Sequence, residues 1–555
     1  MKRLLLIICV ALISYFSLRP LFSPGYFPMH DNVQVERVVA MGRALKEGQF
    51  PVRWVSDLGY GYGYPIYNFY GPLPYYAGGI LYALGVPALV ATKIMFGIGI
   101  LLPAILLSMV LFPLMGWGAT FLSSVLYIYA PYHAVQIYVR GAVGEYWELI
   151  FWPLILYALI WSGNTPRKKN VMLIGAVGLF GSIVSHTLLG YATALFVAIG
   201  LGLYWAFRYM RGEGDRNALF VQAKWYVLGL GTSAFFWLPA LFEMRFTDVA
   251  AQVSATANYL DHFVCVGQLW SAPWGYGGSA PGCTNDGLSF MLGKIHILLS
   301  VAVILWWVSG RLKHISKAYL VLSGILTAAG IFLTLPVSAF VWRTLPMFAY
   351  FQYPWRFLAL AVFGLSLLAG ASVLCIRHPI FRSIASLSIA AVVVGMSAKW
   401  FVPQYLYVPT TALFESSRDL RWRASKISDE YLPKEIVRPD RESHVVSATI
   451  ESRQPIVVST ILATAVEYQS AIESTSAASV NINIASFPGW RYYVNGKEVS
   501  PRIVGGLPVV SVGPGQSIFM ARFTDTAVRT IGNIVSGLSF VVLTCIYVKQ
   551  KETKR

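Results

Sequence analysis

A chain of 555 residues in which only 12% are charged and 56% apolar is not assembled from soluble domains, which carry about 25% charged residues. With a mean hydropathy of +0.59 it reads as an integral membrane protein, and a disordered, coiled-coil or collagen-like chain is excluded. The net charge of +18 looks like a nucleic-acid signal until the basic residues are located: many lie in short loops between apolar runs, where they report topology, and no nucleic-acid partner is expected.

Apolar runs close to the length that crosses a bilayer, roughly 17 to 25 residues, lie near 4–22, 90–111, 118–137, 146–162, 171–188, 190–207, 224–243, 294–309, 318–336, 357–375, 382–402 and 529–548. They predict a polytopic all-α membrane protein of about twelve spans. Basic clusters choose the cytoplasmic loops: Lys2-Arg3, Arg167-Lys168-Lys169, Arg208 with Arg211 and Arg216, Arg311 with Lys313 and Lys317, Arg377 with Arg382, and the tail Lys549 to Arg555. All fall on one side, so both termini are expected in the cytoplasm. The first run resembles a signal peptide, but Ser17-Leu18-Arg19-Pro20 offers no small-x-small cleavage site, and an uncleaved helix is expected. Pro74 to Val86 is too short to cross and is expected as a short outer-face helix.

Three hydrophilic stretches then face outward: 23–73, 244–293 and 403–528. The first contains Pro28-Met29-His30-Asp31-Asn32 and then Gly59-Tyr60-Gly61-Tyr62-Gly63-Tyr64-Pro65, followed by Tyr67, Asn68 and Tyr70. Alternating Gly and Tyr before Pro-rich turns predicts an aromatic-walled surface, and aromatic faces with polar tips suit sugar rings and polyprenyl chains. An interfacial aromatic belt accounts for the tyrosines equally well. Tyr62, Tyr64 and Asn68 therefore stand as substrate-binding candidates with that alternative open. The belt does not account for Asp31, an acid just outside the first helix, which can act as a general base toward an acceptor hydroxyl. Asp57 is a secondary candidate, since an acid in a hydrophilic loop is more often simply solvated.

A donor that carries phosphate needs Arg or Lys at the outer headgroup level. Arg140, five residues before Glu145, and Arg356, just before the span starting at Phe357, meet that need. Snorkelling to headgroups, or an Arg140–Glu145 ion pair that fixes the loop, serves as well. His186, at the outer end of an apolar helix, can reach the same cleft or simply hydrogen-bond the helix end. Cys265 and Cys283 share the loop 244–293, where an oxidising compartment permits a disulfide or two free thiols. No Walker loop, dinucleotide fingerprint, zinc spacing or nucleophile elbow is present, and no nucleotide cofactor is expected.

From about Thr410 the charges become frequent and the long apolar runs vanish. β-Branched content predicts strands at Val445–Ile450, Ile456–Leu462 and Val480–Ile484, with a tight hairpin at Asn495-Gly496 and a further turn at Pro514-Gly515. A β-sandwich is expected on the outer side before the last span, with Trp490 and Tyr492 packed in its core.

An acid shortly after the first helix, a folded first outer loop and many further spans resemble the GT-C superfamily of polyprenyl-phosphate-sugar-dependent glycosyltransferases. More narrowly, His30-Asp31, Gly61-Tyr62-Gly63-Tyr64-Pro65, Tyr70 to Tyr76, Ser185-His186 and Gln352-Tyr353-Pro354-Trp355-Arg356-Phe357 resemble the bacterial YfhO-type membrane proteins and the membrane family called 6-pyruvoyl-tetrahydropterin synthase-related. The segment Phe487 to Lys497, with Gly513-Pro514-Gly515 and a last helix, is similar to the YfhO-type ending. The resemblance covers essentially the whole chain. It implies a GT-C-like membrane domain over 1–402, an extracytoplasmic β domain over 403–528, and a last helix with a basic tail over 529–555. It also places Asp31 where such enzymes carry their catalytic acid, with His30 beside it to orient it or to help hold a divalent ion; the metal requirement stays unknown.

The function these features point to is transfer of a sugar, outside the plasma membrane, from a polyprenyl-phosphate donor to a cell-envelope glycan, lipid or protein. A transporter or lipid flippase and a non-catalytic envelope scaffold are the alternatives. Against the transporter stand the lack of duplicated halves and the scarcity of ionisable residues at mid-span.

Overall fold

The computed structural model describes residues 1–161, 168–249, 258–312 and 315–552. Arg167, Lys313 and the last three tail residues, Thr553 to Arg555, lie outside the described residues. Among the described residues, seven helices are long and apolar enough to cross a membrane: Ala88–Ile128, Val143–Trp161, Thr187–Met210, Lys317–Thr334, Pro354–Cys375, Pro379–Trp400 and Ala527–Lys549. Two more stretches reach that length as bent pairs, Lys2–Ile13 with Tyr15–Phe22 at 41° and Arg216–Thr232 with Ala234–Phe246 at 65°. Both bends coincide with serine and threonine hydroxyls that donate back into the preceding turn. Ser14 Oγ bonds Val10 O, while Ser233 Oγ and Thr232 Oγ1 bond Gly229 O and Leu228 O.

Every apolar run of the sequence is helical over most of its length, but the runs do not map one to one onto spans. Ala88–Ile128 carries two of them and breaks its helical dihedrals at Gly116. Asn170–Ser185 and Lys294–Val308 are apolar but short. By length and composition the described helices give seven spans, or up to nine with each bent pair taken as one, against the twelve runs. The run 118–137 is cut at Ile128; Pro131 then starts a short helical piece that widens into a π-helical turn, Val135–Arg140. Pro74 to Val86 is mostly helical, as Leu73–Ala83, and packs against Gln34–Lys46, the main helix of the first loop.

The C-terminal strands are β1 (Ile450–Ser452), β2 (Ile456–Ala463), β3 (Glu467–Ser474), β4 (Ala478–Ile482), β5 (Trp490–Val494), β6 (Lys497–Val499), β7 (Arg502–Val504), β8 (Leu507–Val512) and β9 (Gly515–Phe523). They form two antiparallel sheets, β1-β4-β8-β7 and β2-β3-β9-β5-β6. Alternation along β4 and β8 sends Val480, Ile482, Val510 and Val512 into a shared core with Ile472 and Phe519 from the other sheet. The Asn495-Gly496 hairpin joins β5 to β6 with φ of 50° and 76°, both positive as a two-residue turn of this hand requires. Of Val445–Ile450 only Ile450 is a strand residue.

Residues 403–449 form no sheet. They run as an irregular strap over the first loop. Tyr26 and Tyr407 pair through their main chains, Tyr60 N donates to Ser425 Oγ, and Arg423 bridges Glu36 and Asp419. The β domain meets the same loop at Trp54, whose ring packs on Phe487, Trp490 and Phe523 at 5.4–5.9 Å. Trp490 is therefore a packing residue, at the seam rather than in the centre of the sandwich, while Tyr492 is buried. The last helix is fixed by Arg529, fully buried, whose Nε and Nη2 donate to Glu243 Oε2 at 3.0 and 2.9 Å.

Candidate functional site

A cavity of about 710 Å³ opens where the first loop, the turn after Ile128, the loop 258–293, the segment 347–356 and the strap meet. Its first wall is set by main-chain pairing: His30 N and Asp31 N donate to Val139 O and Arg140 O, both at 3.0 Å, so the acid lies alongside the arginine. The π-helical turn delivers Arg140 to this point, and the Gln34 side chain locks it by donating to Gly141 O. Gly71 permits close approach on the other side, because a Cβ there would collide with the main chain of Ser185 and His186.

Asp31, His30, Arg140, Glu145, His186 and Arg356 all line this cavity. Glu145, 2% exposed, accepts both terminal nitrogens of Arg140 at 2.5 and 2.6 Å, and Arg356 Nε stands 3.1 Å away. That second pair is close but not aligned as a hydrogen bond, since Arg356 Nε has no hydrogen-bond partner. Arg356 is held instead by Nη1 donating to Phe351 O at 2.8 Å, and the Arg140 guanidinium lies over Trp355 at 4.4 Å. Two guanidinium groups share one carboxylate, leaving one positive charge in excess in a poorly solvated place.

Among the described residues the Asp31 carboxylate has no side-chain hydrogen bond or ion pair. It is surrounded by protein yet part-exposed, because the solvent it meets is that of the cavity. Burial pushes its pKa above the ordinary aspartate value; Arg140 and Arg37 pull it down and Glu145 pushes it up. His30 Nε2 lies 3.0 Å from Tyr276 O, so that nitrogen is the donor and carries the proton. Cys265 and Cys283 are joined, with Cα atoms 5.8 Å apart, and the bridge closes the loop that carries Tyr276 and Ser279. His186 Nδ1 caps the helix Thr187–Met210 by accepting from Leu189 N. Among the described residues no three of His, Cys, Asp and Glu converge as a metal-binding group, and His30 with Asp31 do not make one.

The remaining sequence candidates lie elsewhere. Tyr62 gives its carbonyl to Ala485 N at the β-domain seam, and Tyr64, buried, receives Tyr431 N on its hydroxyl. Asn68 is buried between Arg53 and Glu243. Asp57 pairs with Arg43 at 2.5 Å near the surface. The contacts of Tyr62, Tyr64 and Asn68 hold the first loop to its neighbours, the Asp57–Arg43 pair lies within the loop, and none of the four residues lines the cavity. Tyr70, part of the aromatic loop read from the sequence, lines the cavity; conversely, Arg37, Ser428, Glu430 and Tyr431 line it without having been marked in the sequence. Arg37 had one legible signal, a charge amid Val33, Val35, Val38, Val39 and Met41. Glu430 had none.

An apolar wall of Leu188, Leu195, Phe196, Leu241, Phe348 and Phe351 completes the cavity. Gln352 beside it holds a φ of 62°, uncommon for a residue with a Cβ and retained where the surroundings enforce it.

No family model matches the chain, and no curated protein matches it. Among solved structures it is similar to the arabinofuranosyltransferase AftD from mycobacteria, with a TM-score of 0.44 and 14% identity over 74% of this chain and 28% of that one. The chain thus spans less than a third of AftD. It is also similar to ArnT from Cupriavidus metallidurans, solved bound to undecaprenyl phosphate, with a TM-score of 0.36 and 12% identity over 76% of this chain and 69% of that one.

Proposed function

We propose that this protein is a GT-C-like membrane glycosyltransferase that moves a sugar from a polyprenyl-phosphate donor to a cell-envelope glycan, lipid or protein acceptor. One observation carries it: a single cavity joins an unpaired carboxylate, an arginine pair with excess positive charge, and an apolar wall. A lipid-linked phosphate needs the second and third together, and attack by a hydroxyl needs the first. In this scheme Asp31 takes the acceptor proton as the acceptor oxygen bonds the anomeric carbon. The bond from that carbon to phosphate breaks, and the polyprenyl phosphate leaves with its charge held by Arg140 and Arg356. Glu145 orients the two arginines, and His30 fixes the loop beside the base.

Residues 1–402 serve as the membrane domain and 403–528 as the extracytoplasmic unit that completes the cavity, with 529–555 as the last helix and tail. Both termini lie in the cytoplasm and the cavity opens outside the plasma membrane.

The deciding experiment is Asp31→Asn in the purified full-length protein. The substitution keeps size and removes basicity, so transfer should fall by about 10²- to 10⁴-fold while undecaprenyl phosphate binding stays intact. Wild-type rates in this variant would sink the assignment, and substrate translocation without sugar transfer would favour a transporter.

A further inference from the structure

The cavity is electrically divided. On one side stand Arg140, Glu145 and Arg356 with their excess positive charge. On the other a relay runs from the first loop to the strap. Arg37 Nη2 donates to Ser428 Oγ at 2.7 Å, and Ser428 donates to the Glu430 carboxylate, whose oxygens stand at 3.0 and 3.2 Å. Arg37 is 4% exposed, with its guanidinium 4.2 Å from the centre of the Tyr70 ring, and its Nε has no hydrogen-bond partner. Among the described residues Glu430 makes no ion-pair contact; its charge is met by the nearby Arg37, by its own main-chain N–H and by the serine. A carboxylate offers about four acceptor sites. Ser428 uses one, and Glu430 borders the cavity. Asp31 lies within electrostatic reach of Arg140 on one side and of Arg37 and Glu430 on the other.

We propose that Arg37, Ser428 and Glu430 form the acceptor subsite and select an uncharged sugar terminus, whose hydroxyls donate to Glu430. The inference rests on the glycosyltransferase function proposed above and adds the acceptor class to it. With both carboxylates ionised, Arg37, Asp31 and Glu430 together carry one negative charge in excess. A hydroxyl brings the donor this wall lacks, whereas a carboxylate or phosphate brings a like charge into a site that screens it poorly. The base then sits between the two subsites, within reach of a hydroxyl held on one side and of a phosphate-bound sugar held on the other.

The test uses the full-length protein in nanodiscs, with p-nitrophenyl β-D-glucoside as neutral probe and p-nitrophenyl β-D-glucuronide as its anionic counterpart. Quenching of the intrinsic fluorescence reports each affinity, and undecaprenyl phosphate is titrated separately. The wild-type protein should bind the glucoside at least roughly tenfold more tightly than the glucuronide. Glu430→Gln should narrow that ratio to about threefold or less and leave the affinity for undecaprenyl phosphate unchanged. Equal or tighter glucuronide binding by the wild type overturns the proposal, as does an unaltered ratio in Glu430→Gln. Loss of undecaprenyl phosphate binding in that variant also overturns it, because Glu430 would then belong to the donor side. If the variant does not fold, the wild-type ratio decides alone. Discrimination between the glycosides without any undecaprenyl phosphate binding supports the acceptor subsite and removes the lipid-donor assignment, so the two fail separately.

Discussion

Two buried arginine–glutamate clusters invite comparison. At the seam, Glu243 accepts Nε and Nη2 of Arg529 and the hydroxyl of Thr526, with the Asn68 amide at 3.4 Å, while Arg529 also donates to Thr524 O and Pro488 O. Arg529 and Glu243 thus satisfy one another, while the neighbouring Arg53, which donates to Asn68 and Asn533, makes no ion pair among the described residues and has an unpartnered Nε. In the cavity, Glu145 serves two arginines, one of them with an unpartnered Nε. The same residue types thus do opposite jobs. Saturation marks a structural clamp, and a surplus of donors facing open volume marks a place where a ligand completes the set.

The largest effect that could break this contrast is expected at the clamp. Arg529→Ala strands Glu243 in the interior and should cost about 3–5 kcal/mol of stability, read as a lowered denaturation temperature, with donor affinity per folded molecule unchanged. A stable variant with weakened donor binding would invert the assignment. Next comes the surplus side: Arg356→Lys removes a planar donor set and should weaken undecaprenyl phosphate binding by about 1.5–3 kcal/mol at nearly constant stability. Free replacement by lysine would mean that the arginine only reaches for headgroups.

The pH profile sharpens the role proposed for Asp31. Because burial raises the Asp31 pKa, the folded state holds its proton to higher pH than the unfolded chain does. Asp31 therefore contributes a stability that is present below the ordinary aspartate pKa and lost as pH rises through the raised one, whereas transfer requires the deprotonated form. Activity should rise with pH through a limb above the usual carboxylate range, and thermal stability should fall slightly across the same interval. Asp31→Asn should flatten the stability trend. Smallest of all, Asp57→Asn breaks a surface pair, with side chains 22% exposed at Asp57 and 35% at Arg43. It should change stability by no more than about 1 kcal/mol and leave transfer as it was.

The sequence made the helical runs, the Asn495-Gly496 hairpin and the cluster of Asp31, Arg140, Glu145, His186 and Arg356 legible, because each leaves a local trace: hydropathy, turn chemistry, or a charge beside an apolar run. Bends at Ser14 and Ser233 were not legible, since a hydroxyl that turns back on its own helix looks like any other polar residue in a span. The tyrosines misdirect for a related reason. Tyr64 has the composition of a binding surface, yet its hydroxyl is spent on Tyr431 N, a partner 367 residues away. Glu430 is the converse case: nothing around it in the chain announces a site, and only the fold of the strap carries it there.

That strap has a consequence for the order of events during synthesis. Arg37 meets Ser428 across 391 residues, and Glu36 meets Arg423 across 387. Asp31 and the first wall of the cavity are made near the beginning of translation, but the wall that closes over them emerges only after nearly all of the apolar helices. Until then Asp31 and Arg37 face an open trough. The proposed chamber is thus among the last parts of the molecule to exist, so a chain stalled between Arg356 and the strap would hold Asp31, Arg140 and Arg356 with no enclosure around them.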